Sequence, residues 1–277
     1  MPHKPSFRRS PQPRSAPSVL TRLLPDAAGI DCGAAEHYVA VPTDRAPCPV
    51  QAFPTFTADL HRLAAWLVAC GVRTVAMEAT GVYWIPLFEI LEARGLTVLL
   101  VNARHVKHVP GRKSDVSDCE WLRDLLMMGL LRGSFRPPAA IVPLRAYLRH
   151  RAGLVQTATQ CVQRIEKALT QMNLRLGLVV TDPVGVTGLR ILRDIVAGEH
   201  DPQVLARHRD ARCHATVAEL EAALTGHYRA EHLFALEQQV AAYDFAQTQL
   251  MACDAAITAC LQTLLAAQST PAPPLPP

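Results

Sequence analysis

The chain has 277 residues, of which 49% are hydrophobic and 5% aromatic, and a formal net charge of +4. That length predicts about two domains, and an Ala- and Leu-rich, aromatic-poor composition points to helices and away from an all-β fold. The mild positive charge permits nucleic-acid binding without requiring it. With no apolar secretory segment and no run near ~18 apolar residues, the expectation is a cytoplasmic protein that does not enter a membrane.

Residues 1–26 read as a disordered basic arm, because Lys4, Arg8, Arg9, Arg14 and Arg22 are interspersed with Pro2, Pro5, Pro11, Pro13 and Pro17 and no acid precedes Asp26. Residues 28–53 read as strands, with "AGID" ending in an aspartate and "HYVAV" following a Gly-Ala-Ala turn. Thr57 is a predicted helix cap, with Leu60, Leu63 and Leu67 on one face and Gly71 as the stop. "RTVAME" reads as a short buried strand ending at Glu78. "VYWIPLFEILEARG" reads as a helix with Pro86 in its first turn and Gly95 after its end. The uninterrupted "LTVLLVN" over 96–102 predicts a strand covered on both faces. A helix over about 114–128 follows. Alternation of this kind implies an α/β sheet layered by helices.

Beyond "RGSFRPP" the texture changes. Val155, Ala158, Val162, Ile165, Leu169, Met172 and Leu176 are spaced three and four apart, a heptad seam. A second long helix over about 229–266 is its predicted antiparallel partner. "STPAPPLPP" closes the chain as a polyproline-type tail. The predicted layout is therefore an arm over 1–26, an α/β domain over 27–140, a helical hairpin over 141–267 and a tail over 268–277. The eight cysteines contain no CxxC pair, which speaks against a zinc or disulfide framework and for buried, reduced thiols.

Four acids stand out. Asp31 and Glu78 each end a predicted strand. A turn-forming role accounts readily for Asp31; an acid closing a buried strand such as Glu78 is costly unless paired or metal-bound. Asp115 and Asp118, in "GRKSDVSDCEWL", lie three apart on one helix face. They serve equally as favourable charges at a helix N-terminus or as metal ligands. Gathered at one sheet edge, the four would repel by ~4 kcal/mol per pair at ~4 Å. A divalent cation with a preference for oxygen, Mg²⁺ or Mn²⁺, would relieve that repulsion. Such sites perform in-line displacement at phosphodiesters.

"GIDCG", "MEATGVYW", "KSDVSDCEWL" with "GLLRGSFRPP", and "TDPVGVTGLRILRDIVAGEHDP" occur in that order. Together they resemble the DEDD transposases of insertion sequences (the IS one-ten family), relatives of Piv-type DNA invertases. The resemblance spans about residues 27–266. It implies an RNase H-like (RuvC-like) domain whose metal-binding acids match Asp31, Glu78, Asp115 and Asp118. It also implies a helical hairpin used to assemble a homodimer or higher homo-oligomer. The implied partners are DNA, both element ends and target, and a noncoding guide RNA. By the same analogy Arg104, Lys107, Arg112 and Lys113 are candidate nucleic-acid contacts; a solvated loop explains them as well. Family members continue into a domain carrying a serine nucleophile, whereas this sequence runs into "QSTPAPPLPP". Ser269 has no surrounding motif and is not assigned that role. The expectation is a transposase or site-specific recombinase in shortened form. The alternatives are a catalytically inactive, dimerising nucleic-acid-binding fragment and a stand-alone junction-resolving nuclease.

Overall fold

A computed structural model describes residues 22–79, 81–102 and 115–268, the last of these with side chains from Asp118 to Ala267. The chain divides into two compact units, Met1–Arg136 and Pro137–Pro277.

The first unit is built on a five-stranded sheet in the order β3-β2-β1-β4-β5. Its strands are β1 (Ala27–Cys32), β2 (Glu36–Ala40), β3 (Val50–Pro54), β4 (Thr74–Glu78) and β5 (Thr97–Val101). β1, β2 and β3 form antiparallel pairs, while β1–β4 and β4–β5 are parallel. Two helices, α1 (Thr57–Ala69) and α2 (Trp84–Ala93), supply the crossovers that parallel pairing requires. Their Leu60, Leu63, Leu67, Leu87 and Leu91 pack on Ile30, Val39, Val75 and Met77 from one sheet face. A third helix, α3 (Asp115–Met127), covers the other face, where Leu122, Leu126 and Met127 meet Ala27, Ala76 and Val101.

One local expectation is revised. Thr57 is the first helical residue of α1 rather than its cap; Phe56 holds the cap position and offers no side-chain acceptor. Gly71 does end the helix, at φ +70°, a conformation glycine adopts without steric cost. The strand expected over 96–102 forms as β5 and is covered on both faces, Val98 and Leu100 by the α1–α2 core and Leu99 and Val101 by the α3 cluster; in the sheet order it is an edge strand. Its outer side is met by the segment after α3: the amide of Ser134 donates to the Leu100 carbonyl at 2.6 Å. Arg136 then lies 3.7 Å above the Phe88 ring and pairs with Glu92.

His37 of β2 stands opposite Cys32 and Phe53, is 1% exposed, and has no hydrogen-bond partner at Nδ1. Burial holds its pKa below the ordinary value. Because the folded pKa is depressed, the unfolded chain binds more protons as pH falls below ~6.5. Stability at pH 7.5 is therefore expected to decline as pH drops through that value toward the folded pKa. Urea unfolding of the wild type and His37→Phe at several pH values checks this; equal pH slopes would refute it.

The second unit is helical: α4 (Val142–Gln171), α5 (Leu176–Val179), α6 (Val186–Val196), α7 (Pro202–Ala206), α8 (Val217–Leu224) and α9 (Ala230–Gln268). A 3₁₀ turn, Ala139–Ile141, leads into α4. α4 and α9 run antiparallel. At one end Arg151 forms a two-pronged ion pair with Asp254, and the Cys253 thiol donates to the Tyr147 carbonyl. At the other end Ile165, Leu169 and Met172 share a core with Leu236 and Val240. The small helices close that core. α8 starts with a reciprocal cap: Thr216 accepts from the Glu219 amide and Glu219 accepts from the Thr216 amide. These bonds hold the Glu219 carboxyl below its usual range.

The heptad seam is shorter than its spacing suggests. α4 stops at Gln171, Asn173 turns the chain at φ 56°, and Leu176 begins a separate helix. Val155 is 41% exposed, because the inward arc at that level belongs to Ala158 and Cys161. None of the eight cysteines is in a disulfide; Cys32, Cys70, Cys119, Cys161 and Cys253 are buried, but Cys48 is exposed and Cys213 and Cys260 are partly so. Among the described residues one helix, α9, is long and apolar enough to span a membrane, with a stretch of mean hydropathy 1.6. By length and composition alone this is weak evidence, and the helix pairs along α4.

Candidate active site

The α3 face of the sheet positions the acids. Gly29 is the key to its geometry: a Cβ there would fall well inside contact distance of the Cys119 carbonyl oxygen and the Arg123 amide nitrogen, and 2.9 Å from the Leu122 Cβ. The backbone of α3 thus rests directly on β1. Side chains alternate along a strand, so Asp31, two residues on, lies on that same face. Ile30 pairs with Met77 in parallel register, which sets Asp31 and Glu78 side by side at the next position. Adjacent strands are ~4.8 Å apart, so the two side chains leave the sheet from neighbouring positions.

α3 runs antiparallel to β1. Its last turn lies at the start of the sheet, where the amides of Leu23 and Leu24 donate to the Met127 carbonyl. Its first turns consequently extend toward the Asp31 end. Asp118 directly precedes the buried Cys119 on the turn that rests against Gly29. Asp31, Glu78 and Asp118 are all partly buried, and each has an interaction partner. Asp115 is the first residue of α3; only its backbone is described. Arg104, Lys107, Arg112 and Lys113 lie outside the described residues.

Two thiols register the acidic field. Burial first, then the charges of Asp31 and Glu78, push the Cys32 thiol far above its ordinary range. Cys119 is pushed up to about 12, by burial first, then Glu120, with Asp31 contributing from across the helix–sheet contact. Both are neutral, inert side chains at physiological pH.

An all-carboxylate donor set suits a hard divalent cation. Among the described residues, no group of three or more His, Cys, Asp and Glu side chains forms a metal-binding cluster. What the described residues supply is the Asp31–Glu78 pair, with the acidic first turns of α3 directed to the same end.

Sequence reasoning did not find two further features. Arg123 is 7% exposed; its Nη1 donates to the Val41 carbonyl at 3.0 Å and its Nε to Asp124 at 2.8 Å. This fastens α3 to the end of β2. A lone arginine among Leu122, Leu125 and Leu126 was the available signal. Tyr38 stands opposite Asp31 across the β1–β2 pair, and its hydroxyl donates to Glu36 at 3.3 Å. With Asp31, Gly33, Ala35 and Pro54, these two residues line a groove beside the carboxylate end of β1. Hairpin register alone makes that juxtaposition, so it left no mark in the linear sequence.

A search of curated proteins finds no match for this chain. A family model described as a transposase, DEDD_Tnp_IS110, matches residues 28–174, more than half of the chain. The match runs from β1 through α4 and into the turn that follows it. Members of this family act on DNA and typically use a divalent metal. The chain belongs to the IS110-type family of DEDD insertion-sequence transposases.

Proposed function

We propose that this transposase cleaves and transfers DNA strands at a RuvC-like carboxylate site formed by Asp31, Glu78, Asp115 and Asp118. The observation that carries the reading is the parallel register of β1 and β4, with α3 antiparallel above them. It supports a common position for the acids of three elements at the ends of β1 and β4, beside an open groove. Residues 27–140 are assigned as this RNase H-like domain and 141–267 as a helical assembly domain. The acids would hold Mg²⁺ or Mn²⁺. When bound, such an ion supplies charge stabilisation and an activated oxygen nucleophile at a phosphodiester.

The chain's own residues have three tasks. Asp31 and Glu78, on rigid neighbouring strands, fix two ligand positions. Asp118 adds a third from a helix whose placement Gly29 and Arg123 set. The groove beside Tyr38 and Glu36 provides room for a strand to approach Asp31. In keeping with the family, a noncoding guide RNA is proposed as a partner, with Arg104, Lys107, Arg112 and Lys113 as contacts.

The test is Mn²⁺ binding followed by electron paramagnetic resonance, with nicking of supercoiled DNA in the same samples. Wild-type protein should bind Mn²⁺ and nick; Asp31→Asn should do neither. Wild-type protein that binds DNA but neither Mn²⁺ nor Mg²⁺ would support the inactive, DNA-binding reading instead.

Assembly as a homodimer is proposed through the hairpin. Phe234 and Phe245 of α9, eleven residues apart and so on one helical face, are each at least 65% exposed, apolar side chains that a partner helix would cover. Sedimentation of Phe245→Glu is expected to show a shift toward monomer; an unchanged distribution would exclude this face.

A further inference from the structure

The two long helices of the second unit divide their charges unequally. α4 carries five basic side chains and one acid, Glu166, whereas α9 carries four acids and neither lysine nor arginine. Some of this is internal complementarity, as in Arg151–Asp254. Most of it is not. Arg145, Arg149, Gln156, Gln160, Gln163 and Lys167 follow one another at steps of four, seven, four, three and four. These steps keep them on one stripe of a helix.

That stripe lies opposite the arc holding Ala158, Cys161, Ile165 and Ala168, which packs inward. All six of its residues are exposed, none has a hydrogen bond or ion pair with a carboxylate among the described residues, and no acid interrupts it. From Arg145 to Lys167 it measures ~33 Å at ~1.5 Å per residue. This is close to the ~34 Å of one duplex turn.

We propose that this outer face of α4 lies along the sugar-phosphate backbone of duplex DNA. The three cations would each neutralise a phosphate, and the glutamine amides would donate to phosphate and sugar oxygens between them. A second copy of the chain fits less well. Of the four acids on α9, Asp254, Asp244 and Glu231 already pair with Arg151, Arg193 and Arg229. A neighbouring α9 could offer the stripe only Glu237. An external polyanion matches both the charge and the spacing. The proposal rests on the transposase reading for its choice of DNA, but not on a functioning metal site.

The test uses the full chain, without divalent metal, in fluorescence anisotropy with a labelled duplex of about three turns. Salt is varied from ~50 to ~200 mM. The triple variant Arg145→Ala, Arg149→Ala, Lys167→Ala should bind about tenfold or more weakly at low salt. Its salt slope should be lower by about 3, near one per lost phosphate contact. The loss should be the same for unrelated sequences. Arg145→Lys with Arg149→Lys should restore the slope, since a point charge suffices at a phosphate. Circular dichroism checks that the helices are intact.

An unchanged slope and affinity would overturn the proposal. So would a larger loss on an RNA duplex than on DNA, or a triple variant that sediments as a smaller species while binding DNA like the wild type. The two readings separate because this assay contains no divalent metal: the loss of slope in the triple variant is expected whether or not the wild type nicks.

Discussion

Asp31→Asn is expected to lower metal-dependent DNA nicking by ~10³-fold or more while leaving the fold intact. Metal-assisted charge stabilisation is worth several kcal/mol, and each ~1.4 kcal/mol is a factor of ten in rate. Asn has nearly the shape of Asp, so the β1–β4 and β1–β2 ladders on either side are undisturbed. The sharper prediction concerns stability. Two carboxylates on neighbouring strands repel in the absence of metal, and neutralising one removes that cost. Metal-free Asp31→Asn should therefore melt at or slightly above the wild-type temperature.

Adding Mn²⁺ at ~100 times its dissociation constant should stabilise the wild type by ~2.7 kcal/mol, since the ion binds the folded state. The variant should gain little. Metal thus reverses the order of the two melting temperatures. Thermal melts with and without Mn²⁺ measure this directly. If both proteins respond to Mn²⁺ alike, the acids at the end of β1 and β4 do not share an ion. A helix-capping role for Asp118 alone would predict that outcome.

How much of this site was legible beforehand differs by element. Asp31 and Glu78 could be placed at strand ends from short apolar runs, because a buried strand leaves a block of Val, Ala and Met that an acid abruptly ends. The i, i+3 spacing of Asp115 and Asp118 placed both on one helix face. What the linear sequence could not supply was register. Nothing local states that Ile30 aligns with Met77 rather than with Ala76. A one-residue slip would send Asp31 and Glu78 to opposite faces.

The same limit applies to Tyr38, which meets Asp31 only through the hairpin. It applies to the place of β5 in the sheet: its apolar run states that both faces are covered, which they are, but not that the strand lies at an edge. There, Leu99 and Leu131 help to build the cluster beneath α3, which explains the apolar run without a further strand beyond it. The heptad seam failed for another reason. Helical periodicity continues through Met172 to Leu176, but Asn173 adopts φ 56°, and spacing counts carry no information about one backbone reversal. Asn is among the few residues that tolerate that region, so the signal was present but weak.

Gly29→Ala is the second large effect, and it acts through packing. The added methyl would meet the Cys119 carbonyl oxygen and the Arg123 amide nitrogen, both backbone atoms of a buried helix. A flexible side chain could swing aside; a helix must move as a body. Overpacking of this kind costs ~1–3 kcal/mol and sometimes more, and rigid backbone on both sides favours the upper end. At ~4 °C per kcal/mol, the melting temperature should fall by ~10 °C. The shift would also carry Asp118 away from Asp31, and would strain the Arg123 hydrogen bond to Val41 that fastens the helix. A misplacement of ~1 Å can cost ~10²-fold in rate, so nicking should drop well below the residual folded fraction even at permissive temperature. Ile30→Val offers the comparison. It lies one residue away but faces the α1–α2 core, and at ~0.5–1.5 kcal/mol it should reduce stability with little effect on nicking per folded molecule. Equal nicking per folded molecule in the two variants would mean that the seating of α3 on Gly29 does not set the position of the acids.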